Sequence, residues 1–156
     1  MISDSHGQYL NPDAIKMEIY AFPGLTAANL LINLKGEPEL RKRLKDPKIT
    51  VVNLLFGSND SSFRRYSDPV PHIADMYRQA IEYILELGFR RHVNILRPPP
   101  KTNVTLNLKL CHIWSAFEAQ FETEHRIHLH AILWSHKYIK ADGVHLTSEG
   151  LKFLTG

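Results

Sequence analysis

Apolar runs and segments with helical spacing alternate along most of the chain. Ile49–Phe56 is rich in apolar and β-branched residues, which is typical of a strand buried on both faces of a parallel sheet. The patterns at Ile15–Phe22, Val93–Leu96 and Ile127–Trp134 also indicate strands. The strand at Ile49–Phe56 ends in the turn sequence Gly-Ser-Asn-Asp.

Helices are predicted between these strands. The apolar residues of Pro71–Leu87 recur at helical spacing, and Gly88 is suited to end that helix. Thr26 and Thr147 are suited to the N-cap positions of two others. The full set of predicted helices is Ala27–Leu34, Glu37–Lys45, Pro71–Leu87, Leu106–Phe121 and Thr147–Leu154.

This alternation of strands and helices predicts an α/β fold. βαβ units have right-handed crossovers and build a parallel sheet that helices cover on both faces. Ligands of such sheets bind outside the carboxyl ends of the strands. Residues that follow a strand directly are therefore candidates for a shared site.

Composition limits the class of protein. The length of 156 residues predicts a single domain, residues 1–156, and contents of 44% apolar and 22% charged residues are ordinary for a soluble protein. A net charge of +3 does not by itself indicate a nucleic-acid-binding protein. Cys111 is the only cysteine, which excludes an internal disulfide and a cysteine-based zinc site. No apolar run reaches the roughly 18 residues of a membrane span, and the polar start lacks the pattern of a signal peptide, so we expect an intracellular protein.

Two segments far apart in the chain contain the parts of a nucleophilic site. Ser3-Asp4-Ser5-His6-Gly7 supplies Ser5, and Asp142-Gly143-Val144-His145-Leu146 supplies an aspartate and a histidine. A serine hydroxyl needs a neighbouring base, and His145 is the candidate. Asp142 lies three residues before His145, a spacing at which its carboxylate can orient the imidazole ring.

Two further segments supply hydrogen-bond donors for a developing oxyanion. The backbone N–H groups of Ser5 and of Gly24, in Phe22-Pro23-Gly24, are candidates, and the side-chain amide of Asn59, in Gly57-Ser58-Asn59-Asp60, is the third. Asp4, His6, Asp60 and Phe63 are predicted to line the same site.

In this order the motifs resemble those of the SGNH (GDSL) hydrolase superfamily. Ser5 matches its block I serine, Gly24 its block II glycine and Asn59 its block III asparagine, while Asp142 and His145 match its block V Asp-x-x-His. The resemblance covers nearly the whole chain. It implies a three-layer, flavodoxin-like fold with strand order 2-1-3-4-5. It also implies hydrolysis of short acyl or acetyl esters, with a small-molecule or lipid-like substrate and no metal or cofactor.

A narrower resemblance concerns the short length and the Asp-Ser-His form of the first motif. Both are similar to esterase domains beside the RNA-binding parts of LINE-type retrotransposons, and to the inactive, RNA-binding version in the germ-plasm protein Oskar.

The sequence departs from the superfamily pattern in two ways. Ser3 replaces the family's usual glycine and crowds the nucleophile turn, and only Met1 and Ile2 precede that motif. We therefore expect a truncated first strand and a fragment of a longer protein.

The alternative function is a catalytically weak or inactive module of the same fold that binds RNA or a protein. Its candidate surface is the basic cluster Arg41, Lys42, Arg43, Lys45 and Lys48, with additional pairs at Arg64-Arg65 and Arg90-Arg91. Solvated helix faces that balance acidic residues are the favoured interpretation of this cluster. Structural or solvent-facing roles are likewise favoured over metal binding for His125, His128, His130 and His136.

Overall fold

In the part of the chain that the structure describes, five parallel strands form one sheet in the predicted order 2-1-3-4-5. The computed structural model describes residues 1–10, 12–15, 17–61, 69–88, 90–101, 103–131 and 149. The strands are β1 Ile2–Ser3, β2 Tyr20–Ala21, β3 Val51–Leu55, β4 His92–Leu96 and β5 Ile127–His130. The prediction of a parallel α/β sheet with a short first strand is confirmed.

Among the described residues, five α-helices lie between the strands. They are α1 Pro12–Ile15, α2 Ala27–Gly36, α3 Pro38–Leu44, α4 Val70–Leu87 and α5 Val104–Phe121, and short 3₁₀ helices occupy Ser5–Tyr9 and Asn59–Ser61. As predicted, Thr26 is the N-cap residue of α2 and Gly88 ends α4. The predicted helix at 147–154 lies, apart from Glu149, outside the described residues.

The core lies between one face of the sheet and the helices α2, α4 and α5, which pack side by side. Alternate residues of β3 and β4, such as Leu54 and Ile95, are buried on this face, as the period of two in a strand requires. Tyr77 of α4 stacks on Phe56 with 4.2 Å between ring centroids and meets the edge of Phe117 at 5.0 Å.

The other face of the sheet is more polar than the sequence predicts. Asn53 of β3 and Asn94 of β4 lie side by side, and the Asn94 amide donates to Asn53 Oδ1 at 2.9 Å. A ring nitrogen of His130 lies 3.1 Å from Asn94 Oδ1. Val51 on this face is 50% exposed, while Leu55 is buried. The prediction that this strand is buried on both faces therefore holds only at its carboxyl end.

Strand β2 is much shorter than the predicted strand at Ile15–Phe22. Ile15 belongs to α1, and only Tyr20 and Ala21 pair with β1, opposite Ile2 and Ser3. The ladder is short because β1 itself offers two residues for pairing.

A buried arginine joins the amino end of the sheet to α4. The Arg91 guanidinium donates to the backbone oxygens of Ile49 at 3.0 Å, Ile84 at 3.1 Å and Asp46 at 3.4 Å. Gly88 leaves room for it, because a Cβ there would lie 2.2 Å from Arg91 Cζ. The sequence offers the pair Arg90-Arg91 as a candidate part of a basic surface. Arg91 is fully buried, so it does not contribute to such a surface.

The basic cluster on α3 is partly neutralised. Arg43 forms ion pairs with Glu18 at 2.9 Å and Asp46 at 2.8 Å, and Arg41 donates to the Lys35 carbonyl at 3.3 Å. These contacts favour the interpretation of solvated helix faces. Within the described part of the chain, no helix is both long and apolar enough to cross a membrane.

Candidate active site

The sheet brings three of the predicted site segments to one edge. Ser3 of β1 lies between Ala21 of β2 and Leu55 of β3 in the parallel register. The chain leaves all three strands at this level, so Ser5, Gly24 and Asn59 follow neighbouring carboxyl ends. This is the edge at which parallel α/β sheets bind their ligands.

The turn that presents Ser5 is anchored to the sheet. Asp4 is fully buried and its N–H donates to the Leu55 oxygen at 3.1 Å, which extends the ladder between β1 and β3 by one bond. Ser5 then opens a 3₁₀ helix and is only partly buried. The nucleophile candidate thus lies on a fixed turn with its side chain within reach of solvent.

Ser3 fits this turn, despite replacing the glycine that the resemblance leads one to expect. Its Oγ accepts a hydrogen bond from the Gly7 N–H at 3.0 Å. A Cβ on Gly7 would lie 2.8 Å from the Cβ of Ser3, a distance that real Cβ atoms do not adopt. The absence of a side chain at Gly7 therefore makes room for the one at Ser3.

Gly24 lies in a turn that directly follows β2. Its φ of +78° is in the left-handed region, which glycine adopts without steric cost. The Phe22 N–H donates to the Ser3 oxygen at 2.8 Å, and the Leu25 N–H donates back to Phe22 at 3.0 Å. Among the described residues, and apart from its two chain neighbours, no atom lies within 4 Å of the place where a Cβ would stand, so these residues leave room for a ligand to approach this backbone.

Asn59 links its own loop to the loop of Gly24. Its Nδ2 donates to the backbone oxygen of Leu25 at 3.0 Å. A primary amide carries two N–H groups, so a second one remains to donate elsewhere. This bond holds two of the predicted oxyanion donors, from separate strands, in one assembly.

Asp60 lies beneath this assembly. It is buried, and its carboxylate accepts the N–H of Ala27, the first residue of α2, at 3.0 and 3.3 Å. The Tyr77 hydroxyl donates to the same carboxylate. Burial, and secondarily the charge of Asp60, raises the pKa of Tyr77 well above its ordinary value of 10.0. Asp60 thus fastens the Asn59 loop to α2 and α4.

Lys101 is a further residue of this edge, which the sequence analysis did not identify. It follows β4 after three prolines and is partly buried. Burial lowers the pKa of its ammonium group, and the carboxylates of Asp4 and Asp60 act in the opposite direction. Its position after a strand is the same signal that identified Asn59. Tyr77 is a second residue that the sequence does not identify, because its helical spacing is that of an ordinary core residue.

The remaining predicted site residues lie outside the described part of the chain. These are Phe63, Asp142 and His145, together with the side chain of His6, whose backbone belongs to the first 3₁₀ helix. The triad therefore stays a prediction. Among the described residues, no three histidine, cysteine or carboxylate side chains are grouped as metal ligands.

Several solved structures share this fold, among them two lipases and an acetylesterase. The lipase Lip_vut3 from a goat rumen metagenome is 18% identical, with a TM-score of 0.75 over 99% of this chain and 91% of that one. A GDSL-like lipase from Bacteroides thetaiotaomicron is 15% identical, with a TM-score of 0.76 over 99% and 82%. Est24, a carbohydrate acetylesterase from Sinorhizobium meliloti, is 14% identical, with a TM-score of 0.64 over 92% and 77%. No protein-family model and no curated protein matches the sequence. The fold is thus that of GDSL hydrolases, and the narrower likeness to retrotransposon esterases or Oskar stays a prediction.

Proposed function

We propose that this protein is a serine hydrolase of the SGNH type that cleaves short acyl esters, such as acetate esters. Ser5 is the nucleophile, His145 the general base and Asp142 the residue that orients it. The observation that carries the proposal is the hydrogen bond from Asn59 to the Leu25 oxygen, beside Gly24 and at the same sheet edge as Ser5. A binding module has no need to assemble these groups there.

The reaction has two acyl-transfer steps. The Ser5 hydroxyl oxygen attacks the ester carbonyl, and its proton passes to His145. The tetrahedral intermediate collapses as the C–O bond to the alcohol breaks, and the imidazolium returns the proton to the leaving alcohol. A water molecule, deprotonated by the same histidine, then releases the acid and regenerates Ser5.

Oxyanion stabilisation falls to groups with fixed positions. Negative charge develops on the carbonyl oxygen in both steps, and donors that already point at it cost no reorganisation. The N–H groups of Ser5 and Gly24 and the second amide N–H of Asn59 fill this role. Asp60 supports them from below by holding the Asn59 loop against α2.

The acetyl preference is supported by one of the three structural relatives described above. Est24 is a carbohydrate acetylesterase, and its fold matches 92% of this chain. The other two relatives described above are lipases. The rates of hydrolysis of short-chain and long-chain acyl esters are therefore the informative measurement.

The test is hydrolysis of p-nitrophenyl acetate, butyrate and octanoate by the purified chain, with a fluorophosphonate probe as an active-site label. Ser5→Ala is expected to abolish both turnover and labelling. Asn59→Ala is expected to lower kcat about 10²–10³-fold with a smaller change in KM, because its donor acts on the transition state. Ser115→Ala changes an exposed serine on α5 and is expected to keep full activity. The proposal fails if the folded wild-type chain neither turns over these esters nor accepts the label, or if Ser5→Ala retains activity.

A further inference from the structure

Two histidines face each other on the side of the sheet opposite to α2, α4 and α5. His92 is the first residue of β4, and His128 lies on the neighbouring strand β5. His92 Nδ1 and His128 Nε2 are 3.0 Å apart, and the two rings are nearly parallel, with an angle of 20° between their planes. Both side chains are exposed to solvent. His128 is one of the four histidines for which the sequence favours a structural or solvent-facing role, and the structure pairs it with His92, which is not among them.

The sheet fixes the distance between the two side chains. Val93 pairs with Ile127 and Asn94 with His128 in the parallel ladder, so His92 and His128 are diagonal neighbours on one face. Val93 and Ile127 are buried on the opposite face and hold the strands in this register. The rings are therefore brought together by the backbone before any ligand arrives.

The separation of the two nitrogens suits a chelated metal ion. The ring centroids are 5.3 Å apart and the facing nitrogens 3.0 Å apart, so the nitrogens meet head-on, and each exposed ring must turn by roughly 45° for both lone pairs to reach one ion. Imidazole nitrogen binds first-row metals at about 2.0–2.1 Å, so two nitrogens 3.0 Å apart subtend an angle of about 91–97° at the ion. That angle corresponds to neighbouring positions of a square-planar or octahedral complex, which Cu²⁺ and Ni²⁺ prefer, and it is smaller than the tetrahedral angle of structural zinc sites. We propose that His92 and His128 form a two-ligand binding site for a divalent transition metal ion such as Cu²⁺ or Ni²⁺.

The surrounding residues define what kind of site this is. His130 is on the same face, but its ring nitrogen lies 3.1 Å from Asn94 Oδ1. In the described part of the chain, no third histidine, cysteine or carboxylate completes a ligand group. Water then fills the remaining coordination positions. One of the two facing nitrogens carries a hydrogen when they are hydrogen-bonded, and binding requires that hydrogen to move to the outer nitrogen of the same ring.

This site is separate from the proposed active site. His92 begins β4, so it lies at the amino end of the sheet, whereas Ser5, Gly24 and Asn59 lie beyond carboxyl ends. The inference does not rest on the proposed function. Loading the site is expected to leave ester hydrolysis unchanged.

The test is titration of the tag-free, metal-free chain with CuCl₂ and NiCl₂ by isothermal calorimetry, with electron paramagnetic resonance of the Cu²⁺ complex. We expect one saturable site that His92→Ala and His128→Ala each weaken about tenfold or more, since loss of an outer-sphere partner alone typically costs 10–100-fold. The resonance spectrum should show two nitrogen ligands in the wild type. His112→Ala, which alters an exposed histidine on α5, is the matched control and should bind like the wild type.

Two results would overturn the proposal. One is the absence of saturable binding, which would leave the pair as a hydrogen bond only. The other is equal affinity in the wild type and in both variants, which would place the ion elsewhere in the chain. Far-UV circular dichroism of each variant separates a lost ligand from a lost fold, and His128→Gln provides a second, more conservative change if His128→Ala does not fold.

Discussion

Asp60 shows how a single buried carboxylate organises the candidate active site. It accepts hydrogen bonds from the first N–H of α2 and from Tyr77 on α4. A negative charge is favoured at a helix N-terminus, where backbone N–H groups have no partner within the helix. Asn59, its neighbour in sequence, is thereby held beside Leu25. Asp60 therefore acts mainly as a structural support for the candidate site.

The Tyr77–Asp60 pair gives the stability of the protein a specific pH dependence. Burial raises the pKa of Tyr77 in the folded chain above its unfolded value, so this group stabilises the fold fully below about pH 10. Above that pH the unfolded chain releases the tyrosine proton while the folded chain keeps it, and stability falls. In this pH range the unfolded chain binds nearly one proton fewer than the folded chain, so the unfolding free energy falls by about 1.4 kcal/mol per pH unit.

Tyr77→Phe removes that proton and keeps the aromatic ring in the core. Urea unfolding between pH 8 and pH 11.5 should therefore show a steeper loss of unfolding free energy in the wild type than in the variant above about pH 10. Other tyrosines and lysines titrate in both chains and cancel in the comparison. Parallel curves for the two proteins would contradict the assignment.

At the scale of elements, Arg91 fixes where α4 ends relative to β3. Its guanidinium is fully buried and binds backbone oxygens from the end of α4 and from the segment before β3. Burial lowers the pKa of Arg91 because the charged guanidinium loses hydration, and the charge of Asp46 acts in the opposite direction. A substitution at Arg91 leaves these backbone oxygens in place and removes the guanidinium group that donates hydrogen bonds to them.

Arg91→Met is therefore expected to destabilise the protein by about 2–4 kcal/mol, because it leaves buried acceptors unsatisfied. The volume of the side chain is nearly kept, which limits the cavity contribution. Lys42→Met changes an exposed cation on α3 to the same residue and should cost less than about 0.5 kcal/mol. Chemical unfolding of the two variants gives the comparison, and similar losses for both would show that burial of Arg91 does not matter.

Most helices and strands agree with the periodicity of the sequence. The predicted helix at Pro71–Leu87 starts one residue earlier in the structure, and the strand at Val93–Leu96 also begins one residue earlier. The predicted strand at Ile15–Phe22 is the exception. Its apolar spacing does not show that the strand with which it pairs, β1, is only two residues long. A strand extends only as far as its neighbour offers hydrogen-bonding groups.

At the scale of the whole molecule, the net charge is small and the densest basic cluster is partly paired. The net charge is only +3, and Arg43 in the densest basic cluster is held by Glu18 and Asp46. A surface that binds nucleic acid through phosphates needs cations that release counterions on binding. Helix α3 leads into the start of β3, so this cluster is also remote from the candidate active site.

The triple variant Arg41→Ser, Lys42→Ser, Arg43→Ser tests whether this surface binds RNA. We expect wild type and variant to bind a single-stranded RNA oligonucleotide equally weakly at physiological salt, as measured by fluorescence anisotropy, and to hydrolyse esters equally well. Salt-dependent RNA binding in the wild type that the triple variant loses would instead support the RNA-binding alternative.

The sequence by itself determined the order of strands and helices and the residue types of the site. Apolar period and turn residues report local structure, and Gly24 and Asn59 each follow a strand that the pattern reveals, whereas the strand before Ser5 is expected only from the resemblance. Tertiary structure decided what surrounds them. The bond from Asn59 to Leu25, the burial of Asp60 against Tyr77 and the contact between His92 and His128 each join residues 17 to 36 positions apart. Such contacts depend on register and packing across the sheet, which a local pattern does not encode.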